Sequence, residues 1–112
     1  KKIHTEDKNV HLNVIRAKDI RFTSYLSLNS SINGFKVRNR RPGDKFQPTG
    51  MTGTKKLQDF MIDNKIDKNW RNNIPLVISG QGIAWVVGWR LSEWAKPSTH
   101  DTYAIRLEFE LR

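Results

Sequence analysis

The sequence predicts an α+β fold, made mostly of antiparallel strands with a short helical hairpin inserted near the middle. Three observations predict it: apolar residues alternate with polar ones over 103–111, two apolar runs flank a glycine turn at 80–82, and apolar residues recur at helical spacing over 57–61. With 112 residues the chain has the length of one domain, long enough to bury a core without disulfides or metals. We therefore expect a single domain over 1–112.

The first 34 residues carry the weakest pattern, and we expect them to form N-terminal strands or a connector to a core module over 35–112. Alternating apolar residues over 10–14 predict a short half-buried strand, and 20–28 suggest a second extended segment. A helix over 18–26 remains an alternative. Because the chain begins with lysine rather than methionine, we expect it to be a fragment of a longer protein.

The segment from Phe35 to Arg40 predicts a strand, because side chains alternate between the two faces of a strand. Phe35 and Val37 are expected to face the core. The opposite face then carries a row of cations, namely Lys36, Arg38 and Arg40.

The segment after this strand predicts a turn, a loop and two helices. Thr54 is the predicted N-cap of a helix from Lys55 to Asn64, and a second short helix starts at Asp67 and carries Trp70 and Arg71. Lysines in a first turn oppose the helix dipole, so either an anion compensates Lys55 and Lys56 or they are simply exposed.

Two patterns predict the rest of the sheet. The runs 76–79 and 83–87 are continuously apolar, which indicates a hairpin with both faces buried. Over 103–112 the alternation places Arg106, Glu108 and their polar neighbours on a face in water. Trp85 is predicted to be in the core, and packing is favoured over base stacking for Trp70, Trp89 and Trp94.

Residues 36–56 hold the clearest functional signal, because seven cations there face a single acid, Asp44. They supply six of the nine net positive charges of the chain. Pro42 and Gly43 suit the centre of a type II turn, where proline presets φ and glycine accepts a positive φ. An ion pair between Asp44 and Arg41 would make this segment only a rigid corner. That alternative does not account for Lys36 and Arg38, and the cluster predicts a polyanion-binding surface, with nucleic acid as the obvious ligand.

Several classes of site are disfavoured by composition and spacing. The chain has no cysteine, which excludes disulfides, thiolate metal sites and a cysteine nucleophile. Its three histidines lack metal-ligand spacing, and no apolar run approaches the roughly 20 residues of a membrane helix. The loop 50–56 lacks the spacing of a phosphate loop, so a nucleotide triphosphate site is not expected. Asp59 and Asp63 are interpreted as a solvated helix face.

Two blocks at a characteristic separation resemble the C-terminal domain of bacterial tRNA(Ile)-lysidine synthetase. They are the Arg-Arg-Pro-Gly-Asp block at 40–44 and the Gly-Thr-Lys-Lys-Leu block at 53–57, and the resemblance extends over roughly residues 35–90. The chain departs from the family pattern at Asp67, where a proline is frequent, and at Asn69, where an aromatic residue is frequent.

The resemblance implies a β-sandwich-like domain with helices, similar to a domain of the phenylalanyl-tRNA synthetase β subunit. It implies that the parent enzyme is an ATP-dependent ligase that joins lysine to the wobble cytidine of an isoleucine tRNA in the bacterial cytoplasm. ATP and Mg²⁺ would be bound by the N-terminal domain of that enzyme, so neither a cofactor nor a catalytic residue is expected in this chain. The implied partners are the tRNA acceptor stem and the N-terminal domains of the parent enzyme.

An acceptor stem is an A-form helix that proteins read mainly through phosphates, shape and 2′-hydroxyls. The candidates for RNA contact are Lys36, Arg38, Arg40, Arg41, Lys45, Lys55, Lys56 and Arg71. The candidates for shaping the turn and loop are Pro42, Gly43, Asp44 and Thr54. The alternative hypothesis is a protein-interaction module whose basic face docks on its own enzyme or on a second subunit. The sequence leaves open whether the chain dimerises.

Overall fold

The protein is described by a computed structural model that covers residues 2–4, 21–27 and 34–110. Nine strands and two α-helices occur within these residues. The strands are β1 Lys2–His4, β2 Arg21–Ser27, β3 Lys36–Arg38, β4 Lys45–Phe46, β5 Lys55–Lys56, β6 Leu76–Ser79, β7 Gly82–Val86, β8 Arg90–Leu91 and β9 Ala104–Glu110. The helices are α1 Leu57–Asp63 and α2 Lys68–Arg71, and a short 3-10 helix spans Glu93–Ala95.

All strand pairs are antiparallel, and they form three sheets. One sheet has the order β1-β9-β2, a second has β3-β6-β7-β8, and β4 pairs with β5 alone. The predicted α+β class is therefore confirmed. The extended segment predicted over 20–28 is confirmed within 21–27, where a helix is absent, whereas the strand predicted over 10–14 lies outside the described residues.

The β6–β7 hairpin is the middle layer of the domain. One of its faces packs on the β1-β9-β2 sheet through a core cluster that includes Leu26, Val77, Trp85 and Leu107. Its other face packs on the helices through a second cluster, made of Phe46, Leu57, Phe60, Met61, Ile66, Ile74, Leu76, Ile83 and Val86. The predicted burial of both faces is thus confirmed, and it explains why this hairpin is apolar without alternation.

The last strand corrects a prediction. Ile105 and Leu107 are buried as expected, but Arg106 is also buried, with only 4% of its surface exposed. β9 is the central strand of its sheet, where Arg106 is paired in register with His4 on one side and with Tyr25 on the other, so the expectation that Arg106 faces water was wrong. Within the described residues no helix is long and apolar enough to cross a membrane.

Candidate nucleic-acid interface

The turn at Arg41–Asp44 is built by local backbone chemistry. Gly43 has φ of 87°, a left-handed conformation that favours glycine, and follows a proline whose ring presets φ. The Asp44 N–H donates to the Arg41 carbonyl at 3.2 Å, which closes the turn. In return the Arg41 N–H donates to the Asp44 carboxylate at 2.8 Å. The predicted turn is confirmed, and the Asp44 side chain stabilises it by accepting this hydrogen bond from the Arg41 N–H.

The ion pair of Asp44 is made with Arg38 and not with Arg41, the partner that the rigid-corner alternative considered. The Arg38 guanidinium donates two parallel hydrogen bonds to the carboxylate, each of 2.9 Å. The two side chains are only 24% and 12% exposed. Arg38 reaches Asp44 because the chain reverses at the turn and brings the end of β3 beside it, a proximity that residue spacing alone does not show.

This pair sets the electrostatics of the corner. Burial works against the Asp44 carboxylate, but hydrogen bonds from Arg38 and from the Arg41 backbone outweigh it and hold its pKa below the usual range. The hydrogen bonds that Arg38 donates to Asp44 also raise the pKa of the Arg38 guanidinium, although burial lowers it. The only acid of residues 36–56 is therefore engaged in an ion pair with Arg38.

Four of those cations line one concave pocket of about 310 Å³, which we call the cationic pocket: Arg40, Arg41, Lys45 and Lys56. Lys45 and Lys56 are direct cross-strand partners in the β4–β5 pair. Like charges in directly opposed positions repel, so this pair costs folding energy unless an anion lies between them. Arg40 is oriented by a 2.8 Å hydrogen bond from its Nε to Asn72. Within the described residues none of the four forms an ion pair.

The predicted start of the first helix was wrong. Lys55 and Lys56 form strand β5, and α1 begins only at Leu57, without a side-chain cap from Thr54. The Leu57 N–H donates instead to the Asp44 carbonyl at 2.9 Å, so pairing with β4 takes precedence over an earlier helix start. Lys55 forms an ion pair with Asp63 and does not line the cationic pocket.

The remaining candidates lie at the margins of this site. Lys36 is exposed on β3, an edge strand of its sheet. Val37 is 40% exposed, so the expectation that it faces the core was wrong, because nothing in the described residues covers this edge. The second helix is confirmed, with Asp67 as its cap. Arg71 on that helix is half-buried and donates from Nε to the Ile66 carbonyl at 3.0 Å.

The tryptophans divide into two groups. Trp85 is in the core and Trp94 packs against it, as predicted. Trp70 is 64% exposed and Trp89 is 45% exposed, so the packing prediction was wrong for both. Sequence reasoning also missed Asn72, since an asparagine in a polar segment carries no signal until its contact with Arg40 is known.

Comparisons with known proteins agree with this architecture. The family model of the TilS substrate C-terminal domain matches residues 35–108. The tRNA(Ile)-lysidine synthase of Dehalococcoides mccartyi (strain CBDB1) is 46% identical over 88 residues, which are 79% of this chain and 19% of that protein. The protein of the same name from Caldanaerobacter subterraneus subsp. tengcongensis is 47% identical over 73 residues, 65% of this chain and 16% of that protein. The chain thus spans less than a quarter of the length of these curated relatives.

A solved structure described as the crystal structure of a TILS C-terminal domain has a similar fold. It superposes with a TM-score of 0.65 and 27% sequence identity, covering 98% of this chain and 84% of that one. The predicted β-sandwich-like architecture with helices is thereby confirmed.

Proposed function

Because the chain belongs to the family of TilS substrate C-terminal domains, we propose that it contacts the acceptor stem of an isoleucine tRNA through its cationic pocket. The observation that carries the proposal is the direct opposition of Lys45 and Lys56 beside Arg40 and Arg41. Four cations surround one concavity, and none of them forms an ion pair with another described residue, so they suit the phosphates of an A-form backbone; arginine binds phosphate with two parallel hydrogen bonds.

The wider role that we propose is anchoring. The parent protein, a cytoplasmic ATP-dependent ligase, joins lysine to the wobble cytidine of the tRNA with ATP and Mg²⁺ in its N-terminal domain. This chain holds the other end of the same tRNA. A tethered contact needs only modest affinity, since the linkage makes its effective concentration high.

Arg38 and Arg71 take supporting parts in this proposal. Arg38 neutralises Asp44 and keeps the turn closed, so that Arg40 and Arg41 remain available. Arg71 ties the second helix to the Ile66 carbonyl and so positions Asn72, which orients Arg40. Lys36 and Lys55 lie outside the cationic pocket and are proposed only as peripheral contacts.

The test is a titration of the 112-residue chain with a labelled acceptor-stem minihelix and a scrambled-sequence stem, each at several salt concentrations. We compare wild type with Arg40→Ala/Arg41→Ala. Each phosphate contact contributes roughly −0.7 to −0.9 to the slope of log K against log salt, so we expect a slope of about −3 for wild type and about half of that for the variant.

The matched control is Arg21→Ala/Lys96→Ala, which removes the same two charges from exposed side chains outside the cationic pocket. It should keep the wild-type slope. Equal losses in both double variants would mean that only net charge matters and would contradict the proposal. Absence of binding to either stem would also contradict it and would favour docking on a protein. Circular dichroism verifies that each variant is folded.

A further inference from the structure

A second concave site lies next to helix α2. This groove of about 470 Å³, which we call the tryptophan groove, has Ile66, Ile74 and Pro75 along its floor. Phe22, Trp70 and Trp89 form its walls. These three aromatic residues come from three segments of the chain, which the sheet and the helices bring together.

The tryptophan groove is preformed. Ile66 and Ile74 in its floor are buried core, and the Val87 N–H donates to the Pro75 carbonyl at 3.1 Å, which joins the two segments that form its base. Phe22 lies against Gly88, where an added Cβ would come within 2.9 Å of the ring. A ligand would therefore enter without first ordering the protein, which preserves its affinity.

Two indoles of this groove are exposed. Trp70 and Trp89 keep large apolar faces in water beside an apolar floor, and such exposed patches usually mark interaction sites. Core tryptophans in the same chain, such as Trp85, are covered by neighbouring elements.

The charge around this site argues for an anionic ligand rather than an apolar peptide. Lys65 lines the groove, and Lys68 and Arg71 flank Trp70 on helix α2. The one acid of this segment, Asp67, also lines the groove and accepts a hydrogen bond from the Asn69 N–H as the helix cap; three cations against this one acid leave the segment with a net charge of 3 − 1 = +2. Cations alternating with exposed aromatic rings are typical of proteins that bind single-stranded nucleic acid, where rings stack on bases and cations follow the backbone.

The tryptophan groove also adjoins the cationic pocket. Asn72 lines the pocket and the next residue, Asn73, lines the groove. One RNA strand leaving the pocket would therefore reach the groove directly. Bases inside a duplex are stacked on each other and cannot enter such a groove, so the ligand has to be unpaired.

From this juxtaposition we propose that the tryptophan groove stacks an unpaired nucleobase of the RNA whose backbone lies in the cationic pocket. The inference rests on the proposed RNA-binding function and adds to it a site for a single-stranded end next to the stem. Trp70 provides the stacking face, Trp89 and Phe22 close the opposite side, and Lys65 and Lys68 attract the adjoining phosphates.

The test compares three RNA probes that share one stem: blunt, with a four-nucleotide 3′ overhang, and with a four-nucleotide 5′ overhang. Wild type should bind one overhang probe about ten-fold more tightly than the blunt stem, since a stacked base contributes on that scale. Trp70→Ala should lose this gain and keep wild-type affinity for the blunt stem, whereas Trp70→Phe should retain most of the gain. Tyr103→Ala is the control, because Tyr103 is equally exposed and lies outside the groove.

The outcomes separate this inference from the proposed function. If wild type binds the blunt stem but neither overhang helps, or if Trp70→Ala keeps the gain, the stacking site is overturned while the RNA module stands. If the blunt stem does not bind, the proposed function fails. Quenching of tryptophan fluorescence by a short single-stranded oligonucleotide then tests separately whether the groove stacks an unpaired base. A change of oligomeric state in Trp70→Ala, measured by analytical ultracentrifugation, would assign the groove to a protein partner and overturn the inference. Trp89→Ala serves as the second variant if Trp70→Ala does not fold.

Discussion

The cationic pocket and the tryptophan groove adjoin each other at Asn72 and Asn73, yet they are built in different ways. The pocket is built mainly from one continuous stretch, 38–45, which is held by polar bonds between near neighbours, with Lys56 and Asn72 added from two other segments. The groove combines Phe22, residues 65–75 and residues 87–89 over an apolar floor. A polar corner is specified by few atoms, whereas an apolar groove exists only after the whole domain has packed.

This difference determines how each site should respond to mutation. The turn at Arg41–Asp44 should lose its structure when the Asp44 side chain is removed. That loss should leave the tryptophan groove intact. The groove should tolerate loss of its exposed rings but not changes in the backbone that supports them. Each prediction below tests one side of this contrast.

The largest effect is expected from Asp44→Ala. The substitution removes three hydrogen bonds and leaves the Arg38 guanidinium half-buried without its partner. Removal of one partner of a buried ion pair costs about 3–5 kcal/mol, and because this pair is partly exposed we expect about 3 kcal/mol. Urea unfolding measures it. Asp59→Ala is the control, since Asp59 is exposed on helix α1, and its cost should stay below about 0.5 kcal/mol.

The advantage of wild type over Asp44→Ala should also depend on pH. The pKa of Asp44 is lowered in the folded protein relative to its unfolded value near 3.9. The ion pair therefore stabilises the fold fully above about pH 4, and its contribution is lost as the pH falls through the folded pKa. An advantage that persists unchanged to pH 2 would contradict the pairing with Arg38.

A smaller effect is expected from Gly88→Ala. Its stability cost is compared with that of Gly43→Ala in the turn of the cationic pocket. Gly88 and Gly43 have φ of 84° and 87°, so alanine is strained equally at both. The alanine Cβ meets nothing within 4 Å at position 43 but comes within 2.9 Å of the Phe22 ring at position 88. We expect about 1 kcal/mol at Gly43 from strain, and about 2 kcal/mol at Gly88 from strain and overlap together. Equal losses in thermal unfolding would show that Phe22 is not held against the groove.

The smallest effect is a gain from Lys65→Gly. Lys65 has φ of 56° just after helix α1, where the Ile66 N–H donates to Met61 and the Lys65 N–H to Ile62, the Schellman arrangement that favours glycine. Relief of the strained backbone should raise stability by about 0.5 kcal/mol. Lys68→Gly provides the matched control, because it places glycine inside helix α2 and should lower stability by a similar amount. A loss at both positions in urea unfolding would contradict the strain at Lys65.

The predictions that were confirmed came from patterns a few residues long. The apolar runs 76–79 and 83–87 required a doubly buried hairpin, and Pro42-Gly43 required a tight turn. The prediction at Thr54 was wrong because strand pairing between Lys45 and Lys56 takes precedence over helix propensity. That pairing joins residues eleven apart in the chain. Helix propensity depends only on neighbouring residues, so it does not reflect such a pairing.

Burial of individual side chains was harder to predict. The alternation of apolar and polar residues along a strand shows which side chains share a face, but not whether another element covers that face. Val37 lies on an edge strand and is exposed, while Arg106 lies on a central strand and is covered. Trp70 and Trp89 were expected to pack because tryptophan usually does, but the groove keeps them in water. Strand order within the sheet and the position of helix α2 decide these cases.

The sequence by itself determined the fold class, the family and the charge of the corner, since short-range alternation, turn chemistry and a dense run of cations are local properties. The tertiary structure alone decided which arginine Asp44 neutralises, which lysines oppose each other and which tryptophans remain exposed. These contacts depend on how distant segments pack, and the free energy of that packing is shared among all the residues of the core.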